Sequence, residues 1–122
     1  MSLSIIIITK NEEAQIKDCL ESVRFADEII LVDSGSTDKT LSIARAYATR
    51  IIETDWKGYS GTKMIALEAA TGDWILWLDA DERVQPSLQE EIQEVTKTGG
   101  VTGYYIARKA IFLGRWIKHC GW

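Results

Sequence analysis

Histidine occurs once in this chain, at His119, so a multi-imidazole metal site or a catalytic triad has almost no raw material. Proline also occurs once, at Pro86, and no Ser/Gly/Pro tract, charge block or repeat interrupts the chain. That excludes a linker and a solenoid and leaves a single domain over residues 1–122. The two cysteines, Cys19 and Cys120, stand far apart and match no metal-ligand spacing. A reduced, cytosolic protein is the expectation they support. Basic residues are not in excess, since 14 Lys and Arg face 18 Asp and Glu for a formal net charge of −4. A nucleic-acid binder needs a basic face to neutralise phosphates, so nucleic acid is set aside as a partner. No apolar run is long enough to cross a bilayer, and the start, Met1-Ser2-Leu3, lacks the basic and apolar stretches of a signal peptide.

What the chain does have is short, unalternated apolar runs. Ser4–Thr9, Glu28–Asp33 and Asp73–Asp79 read as strands covered on both faces, as in a parallel sheet, with a weaker candidate at Arg50–Thr54. Helical spacing fills the gaps over Glu12–Val23, Thr37–Ala48, Ser60–Ala70 and Pro86 to Lys97. Asn11 is placed to cap the first helix, and Gly72 to end the third in the left-handed conformation. A further strand is expected over Gly103–Ala110. This alternation predicts an α/β fold with a mainly parallel sheet and flanking helices. Ligands in such sheets bind outside the carboxyl ends of the strands. Those ends carry Thr9-Lys10-Asn11-Glu12, Asp33-Ser34-Gly35-Ser36 and Asp79-Ala80-Asp81-Glu82.

The last of these points most clearly to chemistry. Asp79 and Asp81, separated by the small Ala80, can both face one hard cation, which takes oxygen ligands from one or two carboxylates and from substrate phosphates. The bland alternative is a solvated acidic turn before the next helix, and the preceding apolar strand brings the two readings level. Asp33 ends a buried strand before a glycine turn, where a carboxylate can accept from a base N–H while the next helix favours phosphate. Ser34, Ser36, Thr37 and Asp38 read better as backbone partners of that turn. Thr9, Asn11 and Glu12 close the first strand in the same way, and Glu12 is explained as well by the helix dipole as by a ribose contact. Lys63 on the third helix reads first as a solvated cation and second as a phosphate or base contact. Trp74 and Trp77 read as packing residues, and Trp56 as a weaker candidate for stacking on a base or sugar.

Three segments together carry a specific resemblance. Ile7-Ile8-Thr9-Lys10-Asn11-Glu12-Glu13, Ile30–Thr40 with Val32-Asp33-Ser34-Gly35-Ser36-Thr37-Asp38, and Ala69–Glu82 with Leu78-Asp79-Ala80-Asp81 span most of the chain. The sequence resembles the N-terminal, Rossmann-like nucleotide-binding half of the family 2 inverting glycosyltransferases with the GT-A fold. It is most similar to the bacterial β-1,4-glucosyltransferase-like branch that builds lipopolysaccharide core. The resemblance implies transfer of glucose or another hexose from a nucleotide-sugar donor, a UDP-sugar, to a saccharide or lipid-linked saccharide acceptor, with inversion. It implies a donor pocket of Thr9, Asn11, Glu12, Asp33, Lys63, Asp79, Ala80 and Asp81. Asp33 would recognise the base, and Glu12 would lie near the ribose or uracil. Asp81 and Asp79 would be the metal ligands for Mg²⁺ or Mn²⁺, with Asp81 the more direct. It places the protein in the cytoplasm, with association at the inner face of the cytoplasmic membrane left open.

The chain departs from the family where relatives continue. No acidic residue lies between Val95 and Trp122, so the expected general base is absent. The expectation is a domain cut before its acceptor-binding half, with catalytic residues unknown and self-association as one way to cover the surface left behind. The alternative to a transferase is therefore a non-catalytic fragment that binds nucleotide-sugar. The tail Ile111–Trp122 reads as a remnant of the missing half ahead of a membrane-approaching segment. Haloacid-dehalogenase-like phosphatases also carry paired aspartates after a strand. Their motif has Thr or Val where this chain has Arg83, and it sits on an early strand, so that reading is rejected.

Overall fold

The structure, a computed structural model, describes residues 2–98, 103–106 and 111–115. Among the described residues six strands form one sheet: β1 (Leu3–Thr9), β2 (Glu28–Asp33), β3 (Arg50–Glu53), β4 (Trp74–Asp79), β5 (Gly103–Ile106) and β6 (Ile111–Arg115). Four helices lie between them in sequence: α1 (Ile16–Ser22), α2 (Thr40–Ala44), α3 (Gly58–Ala69) and α4 (Pro86–Thr98). The strand order is β3-β2-β1-β4-β6-β5. The first four strands are mutually parallel, and β6 runs antiparallel to β4 and to β5. The expected strand at Gly103–Ala110 is thus a shorter β5 paired with a separate β6, and residues 107–110 lie outside the described residues.

The chain adds β2 and β3 on one side of β1 and then crosses to place β4 on the other. The carboxyl ends of β1 and β4 are therefore a topological switch point, where a crevice opens in sheets of this kind. Side chains of a strand alternate between faces, and here both faces are covered. Ile5 and Ile7 of β1 pack with Leu20 of α1, Ala44 of α2 and Ile92 of α4. Ile6, between them, packs on the opposite face with Ala66 and Leu67 of α3. That double burial is why the strands read as continuous apolar runs. Trp74 is buried in the first layer and Trp77 packs at the edge of the second. Among the described residues no helix is long and apolar enough to cross a membrane.

Two helices begin later than their periodicity suggests. The β1–α1 and β2–α2 loops that precede them are laced together. Asn11 N–H donates to Ser36 Oγ at 2.8 Å and Glu12 N–H to Thr40 Oγ1 at 2.9 Å. In return Thr37 N–H donates to Asn11 Oδ1 at 2.8 Å. Asn11 therefore braces the neighbouring loop instead of capping α1, and it takes a φ of 53° to do so. Gly72 also differs from expectation, because α3 ends at Ala70 in an extended conformation and Gly72 keeps no left-handed φ. Its smallness answers a close approach instead. A Cβ there would stand 2.5 Å from Ser4 Oγ and 2.8 Å from Ser4 N.

Candidate functional site

A cleft of about 760 Å³ opens at the switch point, lined by residues that include Thr9, Lys10, Glu12, Ser34, Asp79 and Asp81. Its carboxylate side is built by the turn after β4. Ala80 is buried and joins the core layer below, while Asp79 and Asp81 on either side of it are exposed. One small apolar residue thus anchors the turn and leaves both neighbours facing the cleft. The turn is closed on itself, with Glu82 N–H donating to the Asp79 carbonyl at 2.9 Å and Asp79 N–H donating to Glu82 Oε1 at 3.0 Å. From beneath, α1 holds it twice. Cys19 Sγ–H points at the Asp79 carbonyl at 3.7 Å, and Val84 N–H donates to Ser22 Oγ at 2.9 Å. Burial first, then the charges of Glu82, Asp81 and Asp79, push the Cys19 thiol up to about 12, so it stays protonated and serves as a packed donor.

The floor of the cleft is polar and unsatisfied. Ser34 N–H donates to the Thr9 carbonyl at 3.0 Å, which sets the ends of β1 and β2 side by side. The hydroxyls of Thr9 and Ser34 are both buried and have no hydrogen-bond partner. A buried hydroxyl left unpaired costs about 1–3 kcal/mol. Two of them beside a pair of carboxylates mark a surface arranged for a polar ligand. Ser34 was legible in the sequence only as a turn residue. The signal was its place directly after a strand-ending aspartate.

Asp33 is held by its own turn. Its residue is 1% exposed and is not among those lining the cleft. Its Oδ2 accepts from Gly35 N–H at 3.0 Å and Ser36 N–H at 2.8 Å, and its Oδ1 accepts from Ser36 Oγ. Gly35 takes a φ of +97° in this turn, a conformation that strains any side chain. Asn11, engaged with Thr37, is likewise outside the lining. Lys63 is half-buried, with its Nζ 4.5 Å from the centroid of the Trp77 ring, and desolvation lowers its pKa. The ring it covers belongs to the lining residue Trp77. The structure therefore brings together Thr9, Glu12, Asp79, Ala80 and Asp81 of the expected pocket, adds Lys10, Ser34, Trp56 and Trp77, and leaves Asn11, Asp33 and Lys63 outside the lining.

Among the described residues no group of three or more His, Cys, Asp or Glu side chains could hold a metal ion by itself. A pair of cleft-facing carboxylates suits a hard cation that completes its coordination with water and ligand phosphate oxygens. The donor set present fits such an ion and does not suit a closed structural site.

A mainly parallel α/β sheet with its polar groups gathered at the switch point defines a Rossmann-like class of fold. Within that class, the model of glycosyl transferase family 2 matches residues 4–119, and the chain belongs to that family. It is 37% identical over 120 residues to the lipopolysaccharide core biosynthesis glycosyltransferase LpsC of Rhizobium meliloti, covering 93% of this chain and 44% of that protein. Among solved structures, it is similar to S. aureus TarS 1-349 in complex with UDP-GlcNAc, at 26% identity and a TM-score of 0.67, over 80% of this chain and 32% of that one. The glucosyl-3-phosphoglycerate synthase of Mycobacterium tuberculosis, solved with Mn²⁺ and UDP, shares the fold at a TM-score of 0.72 and 19% identity, over 93% of this chain and 56% of that one. The chain has the GT-A fold, and it spans less than half the length of the curated relatives it matches.

Proposed function

We propose that this chain forms the donor site of a glycosyltransferase that takes a hexose from a UDP-sugar and passes it, with inversion, to a saccharide acceptor of the lipopolysaccharide core type. One observation carries the reading. Asp79 and Asp81 face a cleft at the switch point whose floor presents two unpaired buried hydroxyls. The named substrates of the similar proteins support a UDP-sugar donor and a lipopolysaccharide acceptor. A cytoplasmic position at the inner membrane face follows from such an acceptor.

The residues divide by chemistry. Asp81 and Asp79 hold a divalent cation, Mg²⁺ or Mn²⁺, which when bound offsets the charge on the leaving diphosphate. Thr9 and Ser34 hydroxyls bond the nucleoside, and Glu12 accepts from a ribose hydroxyl. Lys10, exposed at the cleft wall, offers a cation to the diphosphate. Asp33 closes the turn after β2 and Asn11 joins that turn to the loop after β1, so that these groups converge. Inversion also requires a carboxylate that takes the acceptor proton from the far side of the sugar.

Calorimetric titration of UDP and UDP-glucose, with and without Mn²⁺, tests the donor reading. Binding should depend on Mn²⁺, and Asp81→Ala should weaken it at least tenfold. UDP binding that ignores both metal and Asp81 would overturn the metal role. Sugar transfer by the chain itself separates a transferase from a chain that binds donor without turning it over.

A further inference from the structure

Trp56 is 51% exposed, the one large hydrophobic side chain singled out as exposed among the described residues, and it lines the cleft. It sits in the loop between β3 and α3, and that loop is tied to the sheet by Thr54 N–H donating to the Asp33 carbonyl at 2.9 Å. Strand order then fixes where it stands. Asp79 and Asp81 lie above β4, Thr9 above β1, Ser34 above β2, and Trp56 follows β3 at the other end of the row. With strands about 4.8 Å apart, β4 and β3 are separated by about 14 Å along that edge. In a nucleoside diphosphate sugar the diphosphate separates the sugar from the nucleoside. If the diphosphate is at the β4 carboxylates, the nucleoside runs along the row, past the hydroxyls of Thr9 and Ser34, and its base arrives at Trp56. Those hydroxyls can meet polar edges, but they offer nothing to a flat apolar face. An indole at that end supplies the missing surface.

We infer that Trp56 is the stacking platform for the nucleobase, a binding residue of the donor site that reads the base by its face while Thr9 and Ser34 read polar atoms. The inference rests on the donor reading above, and its test is built so that the two can fail separately. Three probes are titrated into the full chain with Mn²⁺: UDP, UDP-glucose and inorganic pyrophosphate, which has neither base nor sugar.

Loss of an aromatic stacking partner should weaken UDP and UDP-glucose alike by about tenfold or more in Trp56→Ala. It should leave pyrophosphate affinity unchanged, and Trp56→Phe should retain most of the UDP affinity. UDP should also quench tryptophan fluorescence in the wild type, with the quench largely lost in Trp56→Phe, a readout that does not depend on tolerating alanine. Unchanged UDP affinity in Trp56→Ala overturns the inference. So does equal weakening of pyrophosphate, which would mean a disturbed loop, or a loss confined to UDP-glucose, which would place the indole on the sugar. Wild type that binds UDP with Mn²⁺ while Trp56→Ala binds it equally well removes the platform alone, and wild type that does not bind UDP removes the donor reading with it.

Discussion

Asp33 and Ser34 are adjacent in the chain and separated in role by the turn they share. The carboxylate takes three hydrogen bonds within its own loop, whereas the serine hydroxyl takes none and lines the cleft. Removing each should therefore give different signatures. Asp33→Ala strands the Gly35 and Ser36 amides, and hydrogen bonds to a charged group contribute about 1.5–3 kcal/mol each. Its thermal midpoint should fall by several degrees. Ser34→Ala deletes an unpaired buried hydroxyl, so stability should hold or rise slightly while UDP affinity drops. Thermal melts and UDP titrations of both variants check this. An Asp33→Ala protein with an unchanged midpoint and lost UDP binding would make Asp33 itself the base contact. The motif was legible from sequence here, but its division of labour was not. Any strand-ending Asp-Ser reads the same until the path of the turn decides which side chain faces inward.

At the scale of elements, Glu28 ties three segments together at the end of the sheet away from the cleft. Glu28 accepts from Ser4 Oγ at 2.7 Å, Thr71 N–H at 2.9 Å and Thr71 Oγ1 at 3.0 Å, joining β1, β2 and the turn before β4. Partial burial pushes its pKa up, but those hydrogen bonds and the Arg50 charge outweigh it and hold the carboxyl below its ordinary value of 4.5. A lowered folded value means that Glu28 stabilises the fold fully above its unfolded pKa. The contribution is lost as pH falls from there through the folded value. Glu28→Gln should be less stable than wild type at pH 7, with the gap closing as pH falls below about 4.5; urea melts across pH 3–7 measure it, and a gap independent of pH would refute the linkage. Gly72 marks the same junction. Gly72→Ala drives a Cβ into Ser4, and overpacking of this kind costs about 1–3 kcal/mol. A midpoint equal to wild type would mean that β1 yields there. The helix starts belong to this scale too, since apolar periodicity located α1 and α2 but could not reveal the loop lacing that precedes them.

For the whole molecule, the cleft and the fold are coupled, because the cleft-lining groups are the ends of β1, β2 and β4. A ligand that binds only the assembled site should stabilise the entire domain. With UDP and Mn²⁺ at a hundred times the dissociation constant, the expected gain is about 2.7 kcal/mol, several degrees in thermal midpoint. Asp81→Ala should show little of that gain at the same concentrations. An identical shift in wild type and variant would place the bound nucleotide elsewhere.

The amino-acid sequence by itself determined the parallel α/β architecture, because unalternated apolar runs separated by helical stripes can bury both faces of a strand in few other ways. It also determined the family, since three polar segments at strand ends appear in that family's order. Only the tertiary structure decided which of those polar residues face the cleft. Orientation depends on contacts between loops 25 or more residues apart, such as Asn11 with Ser36 and Thr37. It likewise decided that Gly72 is small for packing and not for its φ. Close approach between β1 and the turn before β4 is a distance in space, which no local pattern encodes.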